Sequence, residues 1–229
     1  MPEAIRAMRE TDQSRTSLRG WIAIAALRPT QVTVGRSEVD EKRRRWRDVK
    51  DKRQFLSRHR VPVLLGPDRH CYMLDRHHLA RALLDEGVTQ IAVTIWADLS
   101  HLSNSGFWTF LDNRGWCHPY DDQGNRVGFD QIPRRIVDLG DDPFRSLARE
   151  TRRRGGFTKD LRPFSEFVWA DFLRFRMKRG LVEHDFETAV AEALALVRSR
   201  EAVCLPGWRG PGPRGDGSAR RALNDGGDA

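Results

Sequence analysis

The sequence predicts an α+β fold, and three observations carry that expectation. Residues 90–100, "QIAVTIWADLS", alternate apolar and polar side chains, as a strand with one buried face does. Residues 61–74, "VPVLLGPDRHCYML", read as two short strands around a Gly-Pro-Asp turn. Beyond residue 139 the apolar positions recur at helical spacing instead, so strands gather early in the chain and helices late. With 229 residues, 39% of them hydrophobic, the chain can bury one core with an appended subdomain.

Taken in order, residues 1–19 are polar and charged and are expected to form a flexible arm. The run "WIAIAAL", residues 21–27, is too short for a membrane span. Arginines precede it as in a signal peptide, but no small-residue cleavage site follows. It is read as a strand, and the protein as cytoplasmic with no membrane partner. "QVTVG", residues 31–35, alternates like a strand and ends in a glycine turn. A very basic helix is expected over residues 39–58, with Val39, Trp46, Val49 and Leu56 on one face. The helix of residues 75–86 follows the hairpin, another spans 105–113, and "YDDQGNRVGF" closes a further short hairpin.

In the second half, Asp142 and Pro143 open a helix that ends at Gly155-Gly156. Phe164, Phe167, Val168, Phe172 and Phe175 mark the face of the next, and Asp185 caps an Ala/Leu-rich last one. The domain reading is an arm (1–19), an α+β core (20–138), a helical region packed on it (139–206) and a disordered Gly/Pro-rich tail (207–229).

The formal charge of +8 favours an anionic partner such as a nucleotide or nucleic acid, although a basic solvated surface accounts for it equally. Three separated cysteines argue against a disulfide framework and a cysteine zinc site, and fit a reducing compartment. No metal site is expected.

The chemistry-bearing segment is Asp75-Arg76-His77-His78, where an apolar strand gives way to a helix. A helix start offers unpaired N–H groups and a positive dipole end, and so receives a phosphate readily. Arg76 and Arg81 would add charge, and His77 or His78 would contact phosphate or move a proton. Asp75 would orient an imidazole or simply cap the helix. Adjacent helical residues point about 100° apart, so the two rings do not form a metal-binding pair. The plain alternative is a capped helix with two satisfied histidines.

The runs "LRPTQVTVG", "VPVLLGPDRHCYMLDRHHLARALLDEG" and "IAVTIWADLS" resemble the ParB-like/sulfiredoxin superfamily. More specifically they resemble its ParB-like branch, whose members carry the signature Asp-Gly-His-His at this same strand-to-helix junction. The likeness continues through "FWTFLDNRGW", "DDPFRSLARETRRRGGF" and "PFSEFVWADFLR" and covers most of residues 25 to 205. It implies a small mixed-sheet core that binds a nucleotide, ATP, ADP or CTP with magnesium, with phosphates at the helix after the signature. Relatives include CTP-hydrolysing partition proteins, ATP-using sulfiredoxins, a free-serine kinase and proteins described as nucleases.

Two departures bear on that implication. The signature glycine is Arg76 here, which gains a charge and loses the freedom to adopt positive φ. The glutamate that serves the serine-kinase branch as general base is replaced by Gln31, an amide that cannot accept a proton at neutral pH. The sulfiredoxin reading also lacks its cysteine between residues 75 and 81; Cys71 lies upstream on a strand.

Gln31, Asp98 and Asp171 remain second-rank site candidates. "RRRGGFTK", residues 152–159, reads as a capped helix end in preference to a phosphate lid. The expected function is nucleoside-phosphate binding with hydrolysis or transfer of phosphate. The alternatives are a non-catalytic DNA-associated protein using its basic surface, and a degenerate member with a structural or partner-binding role.

Overall fold

The structure, a computed structural model, describes residues 19–159 and 165–211. The predicted arm up to residue 18 and the tail from residue 212 lie outside the described residues.

Five strands form a mixed sheet in the order β1-β6-β4-β5-β2: β1 (Arg19–Ala23), β6 (Gln90–Asp98), β4 (Val61–Leu65), β5 (Cys71–Met73) and β2 (Leu27–Arg28). The hairpin read from "VPVLLGPDRHCYML" is β4–β5, antiparallel through Val63↔Met73 and Leu65↔Cys71. Gly66 is required at its turn, because a Cβ there would lie 2.6 Å from the Tyr72 ring. On the other side β4 runs parallel to β6, and β6 runs antiparallel to β1.

Strand alternation divides the sheet between two cores. Val61, Val63, Met73, Ile91 and Val93 face α1 (Arg36–Asp48) and α3 (His77–Asp85). Leu64 and Tyr72 face the opposite way, onto Phe107, Trp108 and Leu111 of α4 (Asn104–Asn113). β4 is buried along its whole length, as a central strand covered on both faces must be.

A third cluster joins α5 (Pro143–Arg153), α6 (Ser165–Arg174), α7 (Arg179–His184) and α8 (Phe186–Val197) around Trp169 and Leu147. A two-stranded parallel ladder, β3 (Thr33–Val34) with β7 (Gly140–Asp141), ties this bundle to the sheet. The α+β class holds.

Several boundaries differ from the sequence expectation. The basic helix of residues 39–58 is two helices, α1 and α2 (Lys52–Arg58). Val49 leaves the helical region (ψ 121°), and Asp51 restarts it by accepting from the Gln54 N–H at 2.8 Å. The apolar run 21–27 is two strands separated by one 3-10 turn, Ile24–Ala26. "QVTVG" pairs only at Thr33–Val34, with Gln31 in a lone parallel bridge to His118. The turn-rich segment after α4 closes through a Tyr120↔Arg126 bridge. Among the described residues no helix is long and apolar enough to cross a membrane.

Candidate functional site

The site grows from the β5–α3 junction. Arg76 is the N-cap of α3 and takes the left-handed conformation, φ 69° and ψ 26°. It therefore keeps the backbone geometry that a glycine would adopt there, at the strain an L side chain incurs. Its side chain caps nothing, and the first intrahelical acceptor is its own carbonyl, taken by the Ala80 N–H at 2.9 Å. The amides ahead of Ala80 in the first turn have no intrahelical acceptor. Asp75 is exposed, and its Oδ1 accepts from the Arg76 N–H at 2.6 Å, fixing the turn before the helix.

Both histidines hold the loop that precedes α1. His77 is 4% exposed, and its Nε2 accepts from the Thr30 N–H at 3.2 Å. His78 Nε2 accepts from the Gly35 N–H at 3.1 Å. A backbone N–H can only donate, so each ring at neutral pH carries its proton on Nδ1. Burial lowers His77 to about 3, helped by the neighbouring His78 and Arg145 charges. Burial likewise lowers His78 to about 4, against the pull of Glu38. The 3.5 Å approach of Glu38 to His78 Nε2 is therefore not an ion pair near pH 7. Burial would raise Glu38, but the cations His78, Lys42 and Arg149 around it hold it down to about 2. Lys42 at 3.1 Å and Arg149 at 3.4 Å remain its partners when His78 is neutral.

A cleft of about 260 Å³ opens against this helix start. Lys42, Arg45, His59, Arg76 and His78 line it with Glu38, Asp75 and the apolar Phe55 and Leu79. Phe55 and His59 stack with ring centroids 4.0 Å apart. Lys42 is paired with Glu38, whereas Arg45 and Arg76 have no salt bridge among the described residues. Burial depresses the Arg76 pKa and Asp75 opposes that shift.

The remaining sequence candidates lie elsewhere. Arg81 turns away from the helix start: it pairs with Asp85 at 3.0 Å and donates to the Leu139 carbonyl at 3.2 Å. Gln31 is buried and donates to the Thr33 carbonyl at 2.6 Å. Asp98 is exposed at the end of β6 and accepts from Ser100. Asp171 binds Arg174, which also reaches the buried Asp142.

Sequence reasoning passed over a second polar region beside the first. Thr30 accepts the His118 N–H at 2.8 Å through its carbonyl, and its hydroxyl donates to the Met73 carbonyl at 2.6 Å. His118 is lowered to about 2 by burial and by the Arg145 and Arg174 charges. Arg145 is 7% exposed and sits 3.3 Å from the centroid of the Phe167 ring. Single arginines and histidines between apolar positions carry no signal of their own, and only packing brings these together.

The family model described as "Putative ParB-like nuclease" matches residues 21–175, and the chain belongs to the ParB-like family. The crystal structure of protein Atu1540 from Agrobacterium tumefaciens is 47% identical, with a TM-score of 0.80. That match covers 85% of this chain and 100% of the other. The C-terminally truncated chromosome-partitioning protein ParB from Caulobacter crescentus, complexed with CTP-gamma-S, is 12% identical over 78% of this chain and 93% of its own. Its TM-score is 0.29, too low to support a structural argument. No curated protein matches the chain.

Proposed function

We propose that the protein binds a nucleoside phosphate in the cleft at the start of α3. The observation that carries this reading is the meeting of uncapped first-turn amides with Arg76, Arg45 and Lys42 around one opening. Amides, helix dipole and guanidinium groups all favour a phosphate there. The cleft is slightly below the usual range of about 300–1,000 Å³ for small-ligand sites, which suits the phosphate–sugar part of a nucleotide. The Phe55–His59 stack offers a flat wall for a base.

In this reading His77 and His78 buttress the site: they fix Thr30 and Gly35 and are neutral at pH 7. Asp75 is the cleft carboxylate with no salt bridge among the described residues, which makes it the group for proton transfer if phosphate is hydrolysed or passed on. Calorimetric titration with CTP, ATP and ADP, with and without magnesium, tests the proposal. Binding should weaken about tenfold or more in Arg76→Ala, in keeping with a lost charge-assisted hydrogen bond. Absence of binding for every nucleotide defeats it. Asp75→Asn should leave affinity intact and slow any phosphate release.

A second reading is nucleic-acid binding, favoured by exposed Arg44 and Arg45 on α1 next to the cleft and by the nuclease in the family's description. It predicts affinity that falls steeply with salt and a loss on Arg44→Glu with Arg45→Glu. Salt-insensitive binding of nucleotide alone counts against it.

A further inference from the structure

We propose that the free edge of β1 is a pairing surface for a second copy of this chain, the two strands running antiparallel about Trp21. The five-stranded sheet ends in β2 on one side and in β1 on the other. β2 is two residues long, which blunts that edge, whereas β1 runs for five. β1 holds no proline, no lysine and no bulge, the devices that ordinarily keep an edge from pairing.

The register with β6 fixes which backbone groups of β1 are free. Ala23 lies opposite Gln90, and one step further the Ile24 N–H donates to the Thr89 carbonyl at 2.9 Å. Bonded and non-bonded pairs alternate along an antiparallel ladder, so Ile22 and Gly20 also bond inward to β6. The N–H and C=O groups of Arg19, Trp21 and Ala23 therefore point out of the sheet, and among the described residues no strand takes them. The same three residues are the exposed positions of β1, with Trp21 at 41%.

These positions are symmetric about Trp21. A second β1 laid antiparallel with Trp21 opposite Trp21 sets each Arg19 opposite an Ala23, so every outward donor meets an outward acceptor. A slip of two residues either way leaves one of the three positions without a counterpart. Such self-complementarity is what a twofold interface requires. The centred register also places the two indoles side by side on one face and holds the two Arg19 cations at opposite ends of the seam. Arg53 of each copy stands 6.0 Å from the centroid of its own Trp21 ring, at the rim of the patch. With a formal charge of +8 the copies repel one another, so pairing should tighten as salt rises.

Sedimentation equilibrium of the full chain over a concentration series should show monomer and dimer exchanging, with more dimer at high salt than at low. Trp21→Lys, which places a charge on the edge, should weaken dimerisation roughly tenfold or more. Amide exchange of the wild type reads the seam without a variant. Gly20 and Ile22 should be protected at every concentration, and Trp21 and Ala23 only as the dimer forms. A chain that stays monomeric throughout overturns the proposal, and so does a dimer that Trp21→Lys leaves intact. A dimer in which the Trp21 and Ala23 amides exchange freely overturns it too, and that measurement decides alone should Trp21→Lys fail to fold.

Discussion

Arg76 occupies a backbone conformation that costs an L residue about 1 kcal/mol relative to glycine. Arg76→Gly should therefore stabilise the fold by about that amount in chemical denaturation while weakening nucleotide binding. Lower stability would show that the side chain has a structural role. His77 has the opposite balance. Removing its ring leaves a cavity and a buried Thr30 amide without acceptor, so His77→Ala should cost about 2–4 kcal/mol. The sign of the pH dependence follows from the lowered histidine values. The unfolded chain binds protons near pH 6.5, and the folded rings do so only near 3 and 4. Stability is complete above the unfolded value and falls as pH drops from about 6.5 toward 4. Glu38, lowered to about 2, adds a further loss below its unfolded value of 4.5. Unfolding free energies between pH 4.5 and 7.5 should rise with pH, and a flat profile would mean that the rings are not buried neutral. The importance of the 75–78 segment was legible because its residue types stand at a strand-to-helix junction. Which atom each ring presents was not, since Thr30 and Gly35 come from more than forty residues away.

Among the elements, α3 was visible from its periodicity, and the β4–β5 hairpin from its Gly-Pro-Asp turn. The break between α1 and α2 was harder to see, because basic residues run through it and hide the Asp51 cap. That cap makes a prediction: Asp51→Ala should cost about 1 kcal/mol, as loss of an N-cap does, and disturb α2 with the cleft wall it supplies. An unchanged stability would mean that packing of Leu56 and Phe55 alone sets the helix start. Strand β7 was beyond sequence reading, and β2 and β3 were legible only as parts of the longer runs 21–27 and 31–35. Two residues carry no periodicity, and their pairing depends on segments such as Gly140–Asp141 far along the chain. Gly35 shows the constraint that results: a Cβ there would lie 3.0 Å from the backbone nitrogen of Ser146, so the loop and α5 meet backbone to backbone.

At the scale of the whole molecule, a mixed sheet covered on both faces carries α3 at one edge of its hairpin. The helical bundle closes over the loop that α3 holds. The two polar regions thus share Thr30 and Gly35 as a common wall, so nucleotide binding at α3 should alter the surroundings of α5 without direct contact. The most direct test of the account is amide NMR of the wild-type chain during titration with CTP, ATP and ADP in magnesium. Phosphate on the helix start predicts that the largest shifts fall on the amides of His77, His78 and Leu79, with smaller ones at Gly35. If those amides stay fixed while others move, the phosphate is elsewhere and the reading of this site is wrong.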